Sequence, residues 1–163
     1  MTPNGDAGLA VSSRLIDDAW IDYHGHVHLP FYTVLFIDAI SAAMNRLGIG
    51  ETYAALGKGT FFGAENHIRY LHELKAGQCV TIEPCLLDHD TKRLHWWARM
   101  SNADRTIAAT FELLSLHVDQ RTRRVTPMPD AVHEIVRGLH GRSRGPQPPA
   151  LAWRLGAQRN PER

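Results

Sequence analysis

Cysteine is nearly absent from this chain: among 163 residues there are only Cys79 and Cys85. Both fall on one expected strand, six positions apart, too far along it to bond each other. That excludes a disulfide framework and suits free thiols in a reducing compartment, the cytoplasm. An excess of charge of one sign is also lacking, with 18 Lys and Arg against 17 Asp and Glu, so no overall field points to nucleic acid as a partner. The basic residues do gather late, from Arg121 to Arg163, where a solvated end is the plainer reading than a polyanion-binding tail. Long hydrophobic runs are missing too. No segment approaches the roughly 18 uninterrupted apolar residues of a membrane helix. The start of the chain shows neither the basic flank nor the apolar core of a secretory leader. The expectation is a protein with no membrane partner.

What remains is ordinary globular material. A hydrophobic content of 44% against 21% charged residues is enough to bury a core at this length. One domain is expected over residues 1–140. Residues 141–163, mostly Arg, Gly, Pro and Gln with little to bury, read as a disordered tail.

The hydrophobic period divides the domain. Val11 to Asp17 fits a short strand, and a loop follows from Trp20 to Leu29. Pro30 suits a first helical turn, and Phe31 to Leu47 is apolar on nearly every face, which predicts a buried helix. Gly48 and Gly50 end it, and a short helical turn follows from Glu51. The period then drops from about 3.6 to 2. Strands are expected over Thr60–Leu71, Cys79–Leu87, Lys92–Ser101 and Thr106–Asp119, with Asp88-His89-Asp90 as one of the turns. Consecutive runs with short turns predict an antiparallel meander. A last helix is expected over Asp130–Leu139. The layout is α+β, one long helix wrapped by one antiparallel sheet. Its open edge strand predicts pairing with a second copy.

The loop carries the chemistry. Asp22, Gly25 and the alternating His24, His26 and His28 lie within seven residues. Asp22 reads either as a turn aspartate or as a general base or nucleophile. Gly25 suits a tight bend or close approach of a substrate. The His-x-His spacing is zinc-like if the segment is extended, but Pro30 and the helix behind it imply a curling loop that scatters the rings, leaving His24 and His28 bonded to loop backbone. Glu65, mid-strand beside His67 and Arg69, reads as a solvated acid unless its face meets the Asp22 loop of either subunit. Trp20, Phe31, Phe61, Phe62, Trp96 and Trp97 read as core, or as the lining of a pocket for a quaternary ammonium.

Asp22-Tyr23-His24-Gly25-His26-Val27-His28 resembles the Asp-x-Asn-Gly-His-(Met/Val)-Asn motif of hot-dog-fold acyl-CoA thioesterases, the 4-hydroxybenzoyl-CoA thioesterase-like superfamily. Trp20 to Tyr23, Glu65 to Leu74, Lys92 to His95 and Leu116 to Asp119 look like the betainyl-CoA thioesterase branch, which acts in carnitine breakdown. The resemblance spans about residues 12 to 130.

It implies the hot-dog fold, dimers or homotetramers with sites between subunits, and hydrolysis of a small acyl-CoA without metal or cofactor. Asp22, His26 and Glu65 are then the catalytic candidates, and Gly25, His28 and Trp97 the substrate-binding ones. N–H groups around Gly25 and the helix start would polarise the thioester carbonyl. Arg69, Arg93 and Arg99 are candidates for the CoA phosphates. His24 and His28 depart from the motif, which has asparagine at both positions. A non-catalytic acyl-CoA-binding protein and an enoyl-CoA hydratase or dehydratase, with Asp22 and His26 as an acid–base pair, stand as alternatives.

Overall fold

The computed structural model describes Leu9 and residues 11–140, so the expected tail over 141–163 lies outside the described residues. The elements run β1 (Ser12–Leu15), a 3-10 turn (Asp18–Trp20), α1 (Leu29–Arg46), α2 (Glu51–Ala55), β2 (Gly59–Tyr70), β3 (Cys79–His89), β4 (Arg93–Asn102), β5 (Ile107–Asp119) and α3 (Asp130–His140). The strands form one antiparallel sheet in the order β1-β3-β4-β5-β2.

That order corrects the expected meander. β3, β4 and β5 are consecutive neighbours, but β2 pairs with β5 and not with β3. The segment between β2 and β3 therefore carries the chain from one side of the sheet to the other, and β2 becomes a twelve-residue edge. The expected Asp88-His89-Asp90 turn also moves. A bulge between Leu86 and Asp88 lets β3 run on to His89. Asp90 then makes the turn, its Oδ1 accepting from the N–H groups of Lys92 and Arg93 at 2.8 Å.

α1 lies on the sheet through Tyr32, Leu35, Phe36, Ala39, Ile40 and Ala43, one stripe at helical spacing. Phe36 stacks on Phe111 of β5 with ring centroids 5.0 Å apart. Leu94, Trp96, Ala98 and Met100 of β4 face the same core and are fully buried. The expectation of a helix buried nearly all round is corrected for the single chain: Val34 is 49% exposed and Ile37 36%. A single sheet covers one side of a helix, and these two residues lie off that side.

α3 packs on β3 and closes the core with Val132, Val136 and Leu139. Cys79 is exposed and Cys85 buried, both unbonded to each other on β3. Among the described residues no helix is long and apolar enough to cross a membrane.

Candidate active site

The loop ahead of α1 is closed by its own backbone. Ile21 and Val27 form an antiparallel bridge. Across it the Asp22 N–H donates to His26 O at 3.0 Å, and the His28 N–H donates to Trp20 O at 2.8 Å. At the tip the Gly25 N–H donates to Asp22 O at 2.9 Å. Gly25 stands at φ +80°, a conformation only glycine takes without strain. The buried Val27 donates its N–H to Leu74 O at 2.8 Å, which ties the loop to the β2–β3 connection.

This geometry turns the Asp22 carboxylate toward the imidazoles. Oδ1 accepts the His24 N–H at 2.8 Å, Oδ2 lies 3.3 Å from His28 Nδ1, and Oδ1 lies 3.9 Å from His26 Nδ1. Burial pushes the Asp22 pKa up, but the His24 N–H bond and the surrounding rings outweigh it and hold the carboxyl below its ordinary 3.8. Its side chain keeps 13% exposure, enough for a water to reach it.

The expected scatter of the three rings is only partial. His24 stacks on His26, with ring centroids 5.6 Å apart, and meets Tyr23 at a 40° tilt. The ring that meets loop backbone is His26, with Nδ1 3.3 Å from Val27 O, whereas His28 meets a carboxylate. Among the described residues no three His, Cys, Asp or Glu side chains are placed to hold a metal ion.

A cleft of about 260 Å³ opens beside the loop, lined by His26, Leu29, Tyr32, Tyr70, His72 and Glu73 among others. The Gly25 N–H, offered above as a carbonyl donor, is spent within its turn, and those of Asp22, His24, Val27 and His28 are engaged as well. The N–H groups of His26 and Leu29, both on the cleft, have no acceptor among the described residues. The Leu29 N–H is the first of α1, and His28 at the cap position makes no side-chain bond to it.

Residues 17–136, which hold this loop, α1, strands β2 to β5 and most of α3, match the thioesterase-like superfamily. The chain belongs to that superfamily. Within it, the chain is 34% identical over 143 residues to an L-carnitine dehydrogenase/betainyl-CoA thioesterase of Agrobacterium fabrum, covering 88% of this chain and 29% of that protein. It is 38% identical over 76 residues to a betainyl-CoA thioesterase of Pseudomonas aeruginosa, covering 47% and 48%. The chain thus spans less than a third of the first relative's length. A Staphylococcus aureus protein solved in complex with CoA superposes with a TM-score of 0.78 at 25% identity, over 89% of each chain. A Pseudomonas putida putative thioesterase superposes with 0.73 at 30% identity, over 90% of this chain and 93% of that one. The fold is the hot-dog fold expected from the motif.

Seen as a thioesterase-like chain, the candidates divide into two groups. Asp22, Gly25, His26 and His28 come together at the loop. Glu65 and Trp97 do not join them within one subunit. Glu65 lines a separate cleft of about 540 Å³, with Lys92 and Arg93 nearby. Trp97 is 3% exposed on the sheet face away from α1, in a cross-strand row with Cys85, Glu112 and His67.

The aromatic set likewise separates: Trp20 stacks on Phe31, Trp96 is core, and Phe61 packs edge-on against His117. Arg93 is engaged by Asp90 at 2.6 Å and Arg99 by Glu83 at 2.6 Å, while Arg69 is exposed. Sequence reasoning missed Tyr32, Tyr70, His72 and Glu73. Tyr70, His72 and Glu73 do fall within the Glu65 to Leu74 stretch of the resemblance, but nothing in that stretch hints that it meets Tyr32 on the first turn of α1.

Proposed function

We propose that the chain hydrolyses a small acyl-CoA thioester to the free acid and CoA, with betainyl-CoA as the leading substrate. The observation that carries this reading is the Asp22 carboxylate, held ionised on a braced loop beside a cleft that offers two unengaged N–H groups. Membership of the superfamily and relatives named betainyl-CoA thioesterase support it.

In this reading the thioester carbonyl oxygen takes hydrogen bonds from the His26 and Leu29 N–H groups, placed where charge develops as the carbonyl is attacked. Asp22 draws a proton from the attacking water. The His28 ring, its Nδ1 3.3 Å from Oδ2, donates its N–H to the carboxylate and orients it toward the water. The tetrahedral adduct then collapses, the C–S bond breaks, and CoA leaves as thiolate, taking up the proton that Asp22 holds. His26 orders the loop by its backbone contact, and Gly25 supplies the turn that aims the carboxylate.

The active unit in this proposal is a homodimer, with a homotetramer as the larger alternative. β2 is a long edge strand whose residues are mostly exposed, and the apolar Val34 and Ile37 of α1 are uncovered. Joining two β2 edges removes the open edge. Glu65 stands on that edge, so its part in catalysis depends on the second copy. Two cysteines outside any disulfide fit the cytoplasm.

The test is thiol release from a panel of short acyl-CoAs, betainyl-CoA included, by wild type and Asp22→Asn. Turnover that vanishes in the variant is the expected result. Equal turnover by both proteins would remove Asp22 from the chemistry.

A further inference from the structure

The cleft beside the Asp22 loop has a lining that hydrolysis alone does not require. Tyr32 and Tyr70 meet at right angles, with ring centroids 5.2 Å apart and planes at 83°, so two aromatic walls form a corner. Tyr32 is fixed there: it is 3% exposed and its hydroxyl accepts the Leu74 N–H at 3.2 Å. Tyr70, 42% exposed, leaves its ring open to a ligand. Glu73 adds a carboxylate to the same cleft, and Asp22 lies outside the lining with Oδ1 3.9 Å from Nδ1 of the lining His26. Lys75 lies 3.2 Å from Glu73, but both side chains are more than half exposed, where a pair neutralises little of the local field. The volume of about 260 Å³ is several times the ~30 Å³ share of one water, room for a small acyl group.

A quaternary ammonium has no N–H to donate. Proteins hold such a group with ring faces and nearby negative charge, not with hydrogen-bond acceptors. We infer that Tyr70, backed by Tyr32 and assisted by Glu73, selects acyl groups carrying a quaternary ammonium at the acyl end of the substrate. This rests on the hydrolytic reading above and assigns the specificity to residues outside the Asp22 motif.

The experiment compares two esters of the same shape, trimethylammonioacetyl-CoA and its uncharged isostere 3,3-dimethylbutanoyl-CoA, by kcat/KM. Wild type prefers the cationic ester. Tyr70→Leu lowers that preference by about 5- to 30-fold, the range for a ring–cation contact from exposed to desolvated. Tyr70→Phe, which keeps the ring, retains it within about 3-fold. Glu73→Gln lowers it a few-fold, less at high salt.

The same comparison on binding, by calorimetry with the two non-hydrolysable thioethers, decides the inference even if neither ester turns over. In that outcome the hydrolytic reading fails and the selectivity stands or falls on the binding ratio. No preference by wild type in binding, or Tyr70→Leu and Glu73→Gln affecting both ligands equally, overturns the inference. Unfolding midpoints of the three variants show that each has folded.

Discussion

His28 places Nδ1 3.3 Å from Asp22 Oδ2, across a turn that separates them by six positions in the chain. The contact exists because the Ile21–Val27 bridge folds the loop back on itself and the positive φ of Gly25 closes its tip. An asparagine at this position, as in the motif the loop resembles, can hydrogen-bond the carboxylate through an amide N–H in place of the ring.

Two substitutions therefore separate orientation from proton transfer. Asp22→Asn keeps an oxygen for the His24 N–H, so the loop holds, while kcat/KM falls by about 10²- to 10⁴-fold. His28→Asn falls by roughly 10-fold, because a dipole still orients Asp22. Initial-rate assays on the best acyl-CoA check both. A larger loss in His28→Asn than in Asp22→Asn would reverse the two roles.

The pH dependence follows from the lowered Asp22 pKa. The carboxyl is ionised above its ordinary 3.8, so the loss of activity due to its protonation lies below that value. From about pH 5 upward kcat/KM should show no limb that belongs to Asp22. A limb near pH 6 that disappears only in Asp22→Asn would contradict the lowered value.

Gly25→Ala tests the turn. A Cβ there meets nothing within 4 Å, so the cost is backbone strain at φ +80° alone, about 1–2 kcal/mol. The variant should unfold at a lower temperature and turn over more slowly, with Gly25→Asn milder because asparagine tolerates this region. Thermal unfolding alongside kcat/KM reads the two effects.

A second cluster sets a stability limit in acid. His89 of β3 sits between His133 and His140 of α3, with ring centroids 5.3 Å from each. Burial first, then the two neighbouring rings, hold its pKa below the ordinary 6.5, against the opposing pull of Asp88. The unfolded chain thus binds a proton near pH 6.5 that the folded chain binds only lower. Stability is full above 6.5, declines as pH falls from there through the folded value, and then levels. Melting temperatures taken between about pH 7.5 and pH 5 should fall, and His89→Phe should flatten the decline.

The edge strand makes a prediction about mass. Light scattering on the purified chain should give twice the 18.3-kDa monomer, or four times it for the larger assembly. A monomer that hydrolyses thioesters would remove the second copy from the proposal.

Much of the fold was legible because hydrophobic period depends on local geometry. A run such as Leu94, Trp96, Ala98 and Met100 can bury one face only as a strand, and Leu35, Phe36, Ala39 and Ile40 only as a helix. The loop was legible too, since Asp22, Gly25 and His26 lie within one turn.

Alternation assigns faces but not neighbours. It gave no means of seeing that β2 crosses to β5, that Trp97 turns away from the loop, or that Glu65 lines a different cleft. The sequence by itself determined the elements, the carboxylate and the turn that aims it, all set by contacts within a few residues. Only the tertiary structure decided what lines the cleft beside the loop, because the Tyr32–Tyr70 corner and Glu73 belong to segments far apart in the chain. They meet only where the end of β2 reaches the first turn of α1.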